Sequence, residues 1–176
     1  MIITDTESAD IDTPTGLMRT YLFRPVAEGR YPGLVLFSEI FQVTGPIRRT
    51  AAMLASHGFV VAVPEIYHEL EPAGTVLTYD EAGAERGNRH KTTKTLSSYD
   101  GDARAALDFL KSSPHCTGQL GVMGMCIGGI WRFARRCSLT FLPAPVSTRL
   151  IFTSAVWARA CATTVWTESG RSQANC

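Results

Sequence analysis

No stretch of the chain stays apolar for the ~20 residues that a membrane helix needs, so no spanning segment is expected. The opening Met1-Ile-Ile-Thr-Asp-Thr-Glu-Ser has neither a basic n-region nor an apolar core, so no secretory leader is expected. Charge of one sign is lacking too. Seventeen Lys and Arg face 16 Asp and Glu, a net charge of +1, which argues against nucleic-acid or anionic-membrane partners. The five cysteines (Cys116, Cys126, Cys137, Cys161 and Cys176) are odd in number and lack metal-ligand spacing. Neither a disulfide framework nor a metal or other cofactor is expected, and a reduced, cytoplasmic setting is the simplest account. The 176 residues suit one domain.

The sharpest absences are local. From Ile130 to Cys176 there is no Lys, Asp, His or Tyr. That segment carries six Arg against one Glu, all three tryptophans and three of the five cysteines. Residues 1–129 carry eleven Lys and Arg against fifteen Asp and Glu. The chain therefore divides into residues 1–129 and an atypical Arg/Trp-rich tail, 130–176.

What is present within 1–129 alternates regularly. Ile2 to Asp12 and Leu17 to Arg24 suit strands joined by the turn Pro14-Thr-Gly16. Gly33-Leu-Val-Leu-Phe37 and Phe59-Val-Val-Ala-Val63 are continuous apolar runs, as expected of strands buried on both faces. Between them Pro46 opens a helix with Ile47, Ala51, Leu54 and Ala55 on one face, and Gly58 stops it. Pro64 to about Ser98 reads as a long irregular segment, of the kind that tends to be functional. Asp100 to Ser112 reads as a helix with Ala103, Ala106, Leu107 and Leu110 inward. This order predicts an α/β fold, a parallel sheet with helices on both faces.

The second helix leads into Leu120-Gly-Val-Met-Gly-Met-Cys126-Ile-Gly-Gly129. A strand entering Gly-x-Cys-x-Gly has the form of a nucleophile elbow with cysteine as the nucleophile. Gly124 and Gly128 leave room for the sharp turn, and a helix start behind Cys126 would lower its thiol pKa. Class I glutamine amidotransferases share the pattern, and a buried cysteine is also an ordinary apolar filler.

Two further blocks narrow the choice: Leu36-Phe-Ser-Glu39-Ile40-Phe41, and His57-Gly-Phe-Val-Val-Ala-Val-Pro64-Glu-Ile-Tyr67. In order and spacing, residues 15–129 resemble the dienelactone hydrolase family (carboxymethylenebutenolidase-like) of α/β-hydrolases. The resemblance implies a lactone or related ester as small-molecule substrate and Cys126 as the nucleophile that forms an acyl-thioenzyme. It implies an oxyanion hole from the amides of Ile40 and Ile127. It also implies that Glu39 exchanges a proton with the thiol. Arg86 or Arg89 are weaker candidates for receiving a substrate carboxylate, and a solvated loop charge is the plainer reading of either. His57, His68, His90 and His115 all precede Cys126 and are not expected to serve as the triad base.

Downstream the pattern fails. No His or Asp follows Cys126, and Glu168 is the one carboxylate beyond it. The later strands of an α/β-hydrolase are not legible, so the core reads as truncated and its turnover as impaired. Reading the tail one base back lets Ile130-Trp-Arg become His-Leu-Ala and Thr148 to Thr153 become Tyr-Ala-Thr-Asp-Ile-His. Residues from about 130 onward are therefore expected to be an out-of-frame translation. The competing expectation is a genuine divergent tail covering the sheet edge. From another class, the rival function is a non-catalytic fragment or pseudoenzyme that binds a ligand or partner.

Overall fold

The computed structural model describes residues 1–126. The tail 130–176, the 129/130 boundary, the C-terminal strands, Ile127 and Glu168 lie outside the described residues.

Five strands form one mixed sheet in the order β1-β2-β4-β3-β5. β1 (Ile3–Thr13) and β2 (Gly16–Pro25) are an antiparallel hairpin closed by Pro14-Thr15. Gly16 there has φ 124°, a conformation costly for a residue with a Cβ. β2 runs antiparallel to β4 (Val60–Pro64). The expected parallel sheet is thus its β4-β3-β5 half, with β3 (Tyr31–Phe37) pairing β4 on one side and β5 (Cys116–Gly124) on the other.

The apolar runs read as strands buried on both faces are that. Leu36, Val61 and Val63 point to one side, where α1 (Gly45–Ser56) adds Ile47, Ala51 and Ala55. Val35, Phe37, Val60 and Ala62 point to the other, against Ala103, Ala106 and Leu110 of α3 (Leu96–Ser112). Period-two pleating sends alternate side chains to opposite faces, and each fully buried Val, Leu or Ile contributes about 1.5–3 kcal/mol.

The segment expected to be irregular contains a helix, α2 (Glu81–Thr93), capped by the Asp80 carboxylate, which accepts from the Gly83 amide at 2.7 Å. The periodicity missed it because its buried positions are Gly83 and Gly87, so it packs backbone to backbone without an apolar stripe. α3 begins at Leu96 rather than Asp100, because Thr95 caps it by accepting from the Ser98 amide.

The α2–α3 junction holds a buried charge cluster. Lys94, fully buried, lies 2.8 Å from Asp102 Oδ2 and also pairs with Glu69, while His68 Nε2 lies 3.1 Å from Asp102 Oδ1. Removing one member of a buried pair costs about 3–5 kcal/mol, because the other is left desolvated. Lys94→Met is therefore expected to lower the melting temperature by roughly 10 °C in a thermal melt. Burial pushes the Glu69 carboxyl up, but donation from Lys94 and Ser98 outweighs it and holds the group below its ordinary 4.5. A depressed carboxyl stabilises the fold above its unfolded pKa and loses that contribution as the pH falls through its folded one. Wild type should lose stability below about pH 4.5 more steeply than the Met variant.

No helix among the described residues is long and apolar enough to cross a membrane.

Candidate active site

Strand order reverses direction at β3. The chain moves from β3 through α1 to β4, then crosses back through α3 to β5 on the far side of β3. In open α/β sheets such a reversal leaves a crevice beyond the carboxyl ends of the strands, where ligands bind. β3 and β5 end level, Phe37 paired with Gly124, and the last link between them is the Met125 amide on the Phe37 carbonyl at 3.1 Å.

Cys126 follows at once, exposed and unpaired, with φ 55°. A left-handed conformation at a residue with a side chain costs of order 1–3 kcal/mol, and such strain clusters at functional positions. The turn leaves this side chain exposed just beyond the end of β5.

On the neighbouring strand end, Glu39 to Gln42 form a tight turn closed by the Gln42 amide on the Glu39 carbonyl at 3.0 Å. Gln42 has φ 69° and is fully buried. Its side chain donates to the Thr75 carbonyl at 3.1 Å and accepts from the Tyr67 amide at 3.2 Å. The turn is thereby tied to the two segments that cross it. Among the described residues nothing accepts from the Ile40 amide. α2 presses on the same residue, since a Cβ at Gly87 would stand 2.5 Å from the Ile40 carbonyl oxygen.

Glu39 is half-buried beside this turn and makes no hydrogen bond to Cys126. Its Oε1 accepts from the Tyr79 hydroxyl and from the Thr44 hydroxyl, the latter at 3.2 Å. Tyr79 packs on Phe41 with ring centroids 4.5 Å apart. Past the end of β4, the Tyr67 hydroxyl donates to the Gly87 carbonyl at 3.2 Å. Burial first, then Tyr99 and Cys126, push the Tyr67 phenol up, while Tyr99 is pushed up to about 12, chiefly by burial. Both therefore remain protonated near neutrality.

The weaker candidates go elsewhere. Arg86 is held by the buried Glu71, its Nη2 donating at 2.7 Å, and Arg89 is exposed on α2. His90 also sits on Glu71, His57 caps α1, His115 lies before β5, and His68 belongs to the Asp102 cluster. Among the described residues no group of His, Cys, Asp or Glu converges as a metal site.

The profile of the dienelactone hydrolase family matches residues 18–142. The chain belongs to the dienelactone hydrolase family. A Saccharomyces cerevisiae protein provisionally named carboxymethylenebutenolidase is 37% identical over 163 residues, covering 86% of this chain and 59% of its own. The carboxymethylenebutenolidase of Pseudomonas putida is 27% identical over 128 residues, covering 73% and 54%. A crystal structure provisionally described as a Klebsiella pneumoniae dienelactone hydrolase superposes with a TM-score of 0.63. That likeness covers 77% of this chain and 56% of the other at 22% identity, and it carries the α/β-hydrolase fold. The chain spans between half and three-fifths of the length of these family members.

Within that family frame, the structure brings Glu39, Ile40 and Cys126 to adjacent strand ends. Gln42, Tyr67, Tyr79 and the α2 glycines were not singled out from the sequence. Tyr67 ends the stretch that begins at His57, and Gly83 and Gly87 stand one helical turn apart, a small-residue spacing. Gln42 left no signal, since its role depends on segments 25 and 33 residues away. Gln42→Ala leaves the Thr75 carbonyl and the Tyr67 amide unpaired in a buried place. It is expected to cost about 2–4 kcal/mol, read as a melting temperature lower by roughly 5–10 °C.

Proposed function

We propose that this chain carries the nucleophile machinery of a lactone or ester hydrolase acting through a Cys126 acyl-thioenzyme. The observation that carries the reading is the exposed Cys126 thiol on a left-handed turn, level with the Glu39–Gln42 turn on the adjacent strand. The Ile40 amide would donate to the oxyanion that forms when sulfur attacks the carbonyl, with the Ile127 amide as second donor. Such a donor is worth on the order of 3 kcal/mol of barrier. Glu39 would take the thiol proton on substrate arrival, which keeps the resting sulfur neutral. Residues 1–129 would form the functional unit. A nucleophilic thiol, with Cys116 also unpaired, suits a reducing cytoplasmic compartment.

Deacylation needs a base to activate water, and within residues 1–176 no His or Asp follows Cys126. A polypeptide of these residues should therefore acylate faster than it turns over. The test is a chromogenic ester followed on the millisecond-to-minute scale, with intact-mass measurement of the protein. The expected result is a burst approaching one equivalent, slow turnover after it, and an acyl adduct mapped to Cys126. No burst and no adduct would sink the assignment.

A further inference from the structure

The inward face of α2 is built without large apolar side chains. Gly83, Arg86, Gly87 and His90 follow the i, i+3, i+4, i+7 spacing of one helical stripe, and the buried residues of the helix are Gly83 and Gly87. A stripe of this kind supplies little hydrophobic anchoring, so polar contacts must set where the helix lies. They converge on one group. Arg86 Nε lies 2.6 Å from Glu71 Oε1 and its Nη2 donates to Oε2 at 2.7 Å, while His90 Nε2 meets Oε1 from one turn further along. The Glu71 side chain is 1% exposed, and both of its oxygens are taken by α2.

Glu71 closes a turn that starts at Tyr67, its amide donating to the Tyr67 carbonyl at 2.9 Å. Tyr67 grips the same helix, with its hydroxyl on the Gly87 carbonyl and its ring against the His90 ring at 5.3 Å between centroids. The Tyr67 amide in turn donates to the Gln42 side chain, inside the turn that carries Ile40. These contacts close a ring: from the Ile40 turn to Tyr67 and Glu71, across to α2, and back through Gly87 to Ile40. The Ile40 amide and carbonyl flank one Cα. A helix seated on that carbonyl and on the Cβ restricts the two dihedrals that aim the amide.

We propose that Glu71 is a positioning residue for the oxyanion hole: by clasping Arg86 and His90 it seats α2 on Ile40 and so fixes the aim of the Ile40 amide. Arg86 then serves as a strut, its guanidinium fork filled by the protein's own carboxylate. The inference rests on the reading of Ile40 as an oxyanion donor given above.

Two reactions of the same thiol separate this role from a general one. Attack on an ester carbonyl builds charge on oxygen and draws on the Ile40 amide. Alkylation by iodoacetamide displaces iodide from carbon and forms no oxyanion. The experiment compares wild type with Glu71→Gln below the melting transition of both. Gln keeps the shape and removes the buried charge, and Arg86, whose side chain is 51% exposed, is left facing water rather than stranded. At saturating chromogenic ester, Glu71→Gln should form the Cys126 acyl adduct about tenfold more slowly, the loss expected of a donor moved off line. The half-saturating ester concentration, and the iodoacetamide rate at Cys126 read by peptide mass, should stay within about twofold of wild type. An unchanged acylation rate overturns the positioning role. So does a parallel loss of acylation and alkylation, which marks a disturbed thiol or fold. A loss confined to half-saturation overturns it too, by placing Glu71 at substrate binding. If wild type forms no adduct while Cys126 alkylates, the reading of Cys126 and Ile40 falls and the Glu71 role with it. Should Glu71→Gln not fold, Arg86→Lys carries the same comparison, since it keeps the charge and loses the two-pronged grip.

Discussion

Cys126→Gly is expected to abolish the ester burst and the acyl adduct while raising the melting temperature. The two effects have one source. At φ 55° a Cβ is strained, and glycine is not, so the replacement removes a cost of order 1–3 kcal/mol from the folded state. Glycine also loses more chain entropy on folding, about 0.5–1 kcal/mol, which leaves a net gain of about 1 kcal/mol. For a chain of this size that is roughly 2–4 °C. Cys126→Ala keeps the Cβ and its strain, removes the sulfur, and should lose the burst with little change in melting. Together the pair separates what the side chain does chemically from what its backbone costs. If glycine destabilised the protein, the left-handed elbow would be wrong, whatever the chemistry showed.

Gly87→Ala should weaken the protein and its acylation together, although Ala is the better helix former by about 1 kcal/mol. The added methyl would lie 2.5 Å from the Ile40 carbonyl oxygen and 3.0 Å from its Cβ. Neither α2 nor the Glu39–Gln42 turn has a flexible end to yield there, so one must shift. Overpacking of this kind costs about 1–3 kcal/mol, enough to outweigh the propensity gain. Ile40 is tied through Gln42 to Tyr67 and Thr75, so displacing it strains the turn that holds its amide. A donor misplaced by ~1 Å loses much of its effect, and the acylation rate should fall about 10²-fold. Stopped-flow burst rates and a thermal melt check both halves. A stable variant with an undiminished burst would remove Ile40 from the oxyanion hole.

Much of this was written in local patterns. The apolar runs ending at Phe37 and Val63, the Pro46 helix and the Gly-x-Cys-x-Gly turn each depend on neighbours along the chain. Steric and hydrophobic periodicity therefore determine them before any tertiary contact forms. The same holds for Cys126 as the strained residue, because a Gly-x-Cys-x-Gly elbow sets its central residue on a sharp, strained turn. The surroundings of that thiol are another matter. α2 has no apolar stripe because it approaches Ile40 through a glycine, and a missing side chain leaves no hydrophobic mark. Thr44 has the composition of an ordinary N-cap, and only the fold turns its hydroxyl to a carboxylate five residues back. Tyr79 reaches Glu39 across 40 residues of chain, and Arg86 is claimed by a glutamate 15 residues away. By itself the sequence determined the strands, the elbow and the family. Tertiary structure alone decided which donors hold Glu39, because hydrogen bonds between distant segments follow from packing and leave no period to read.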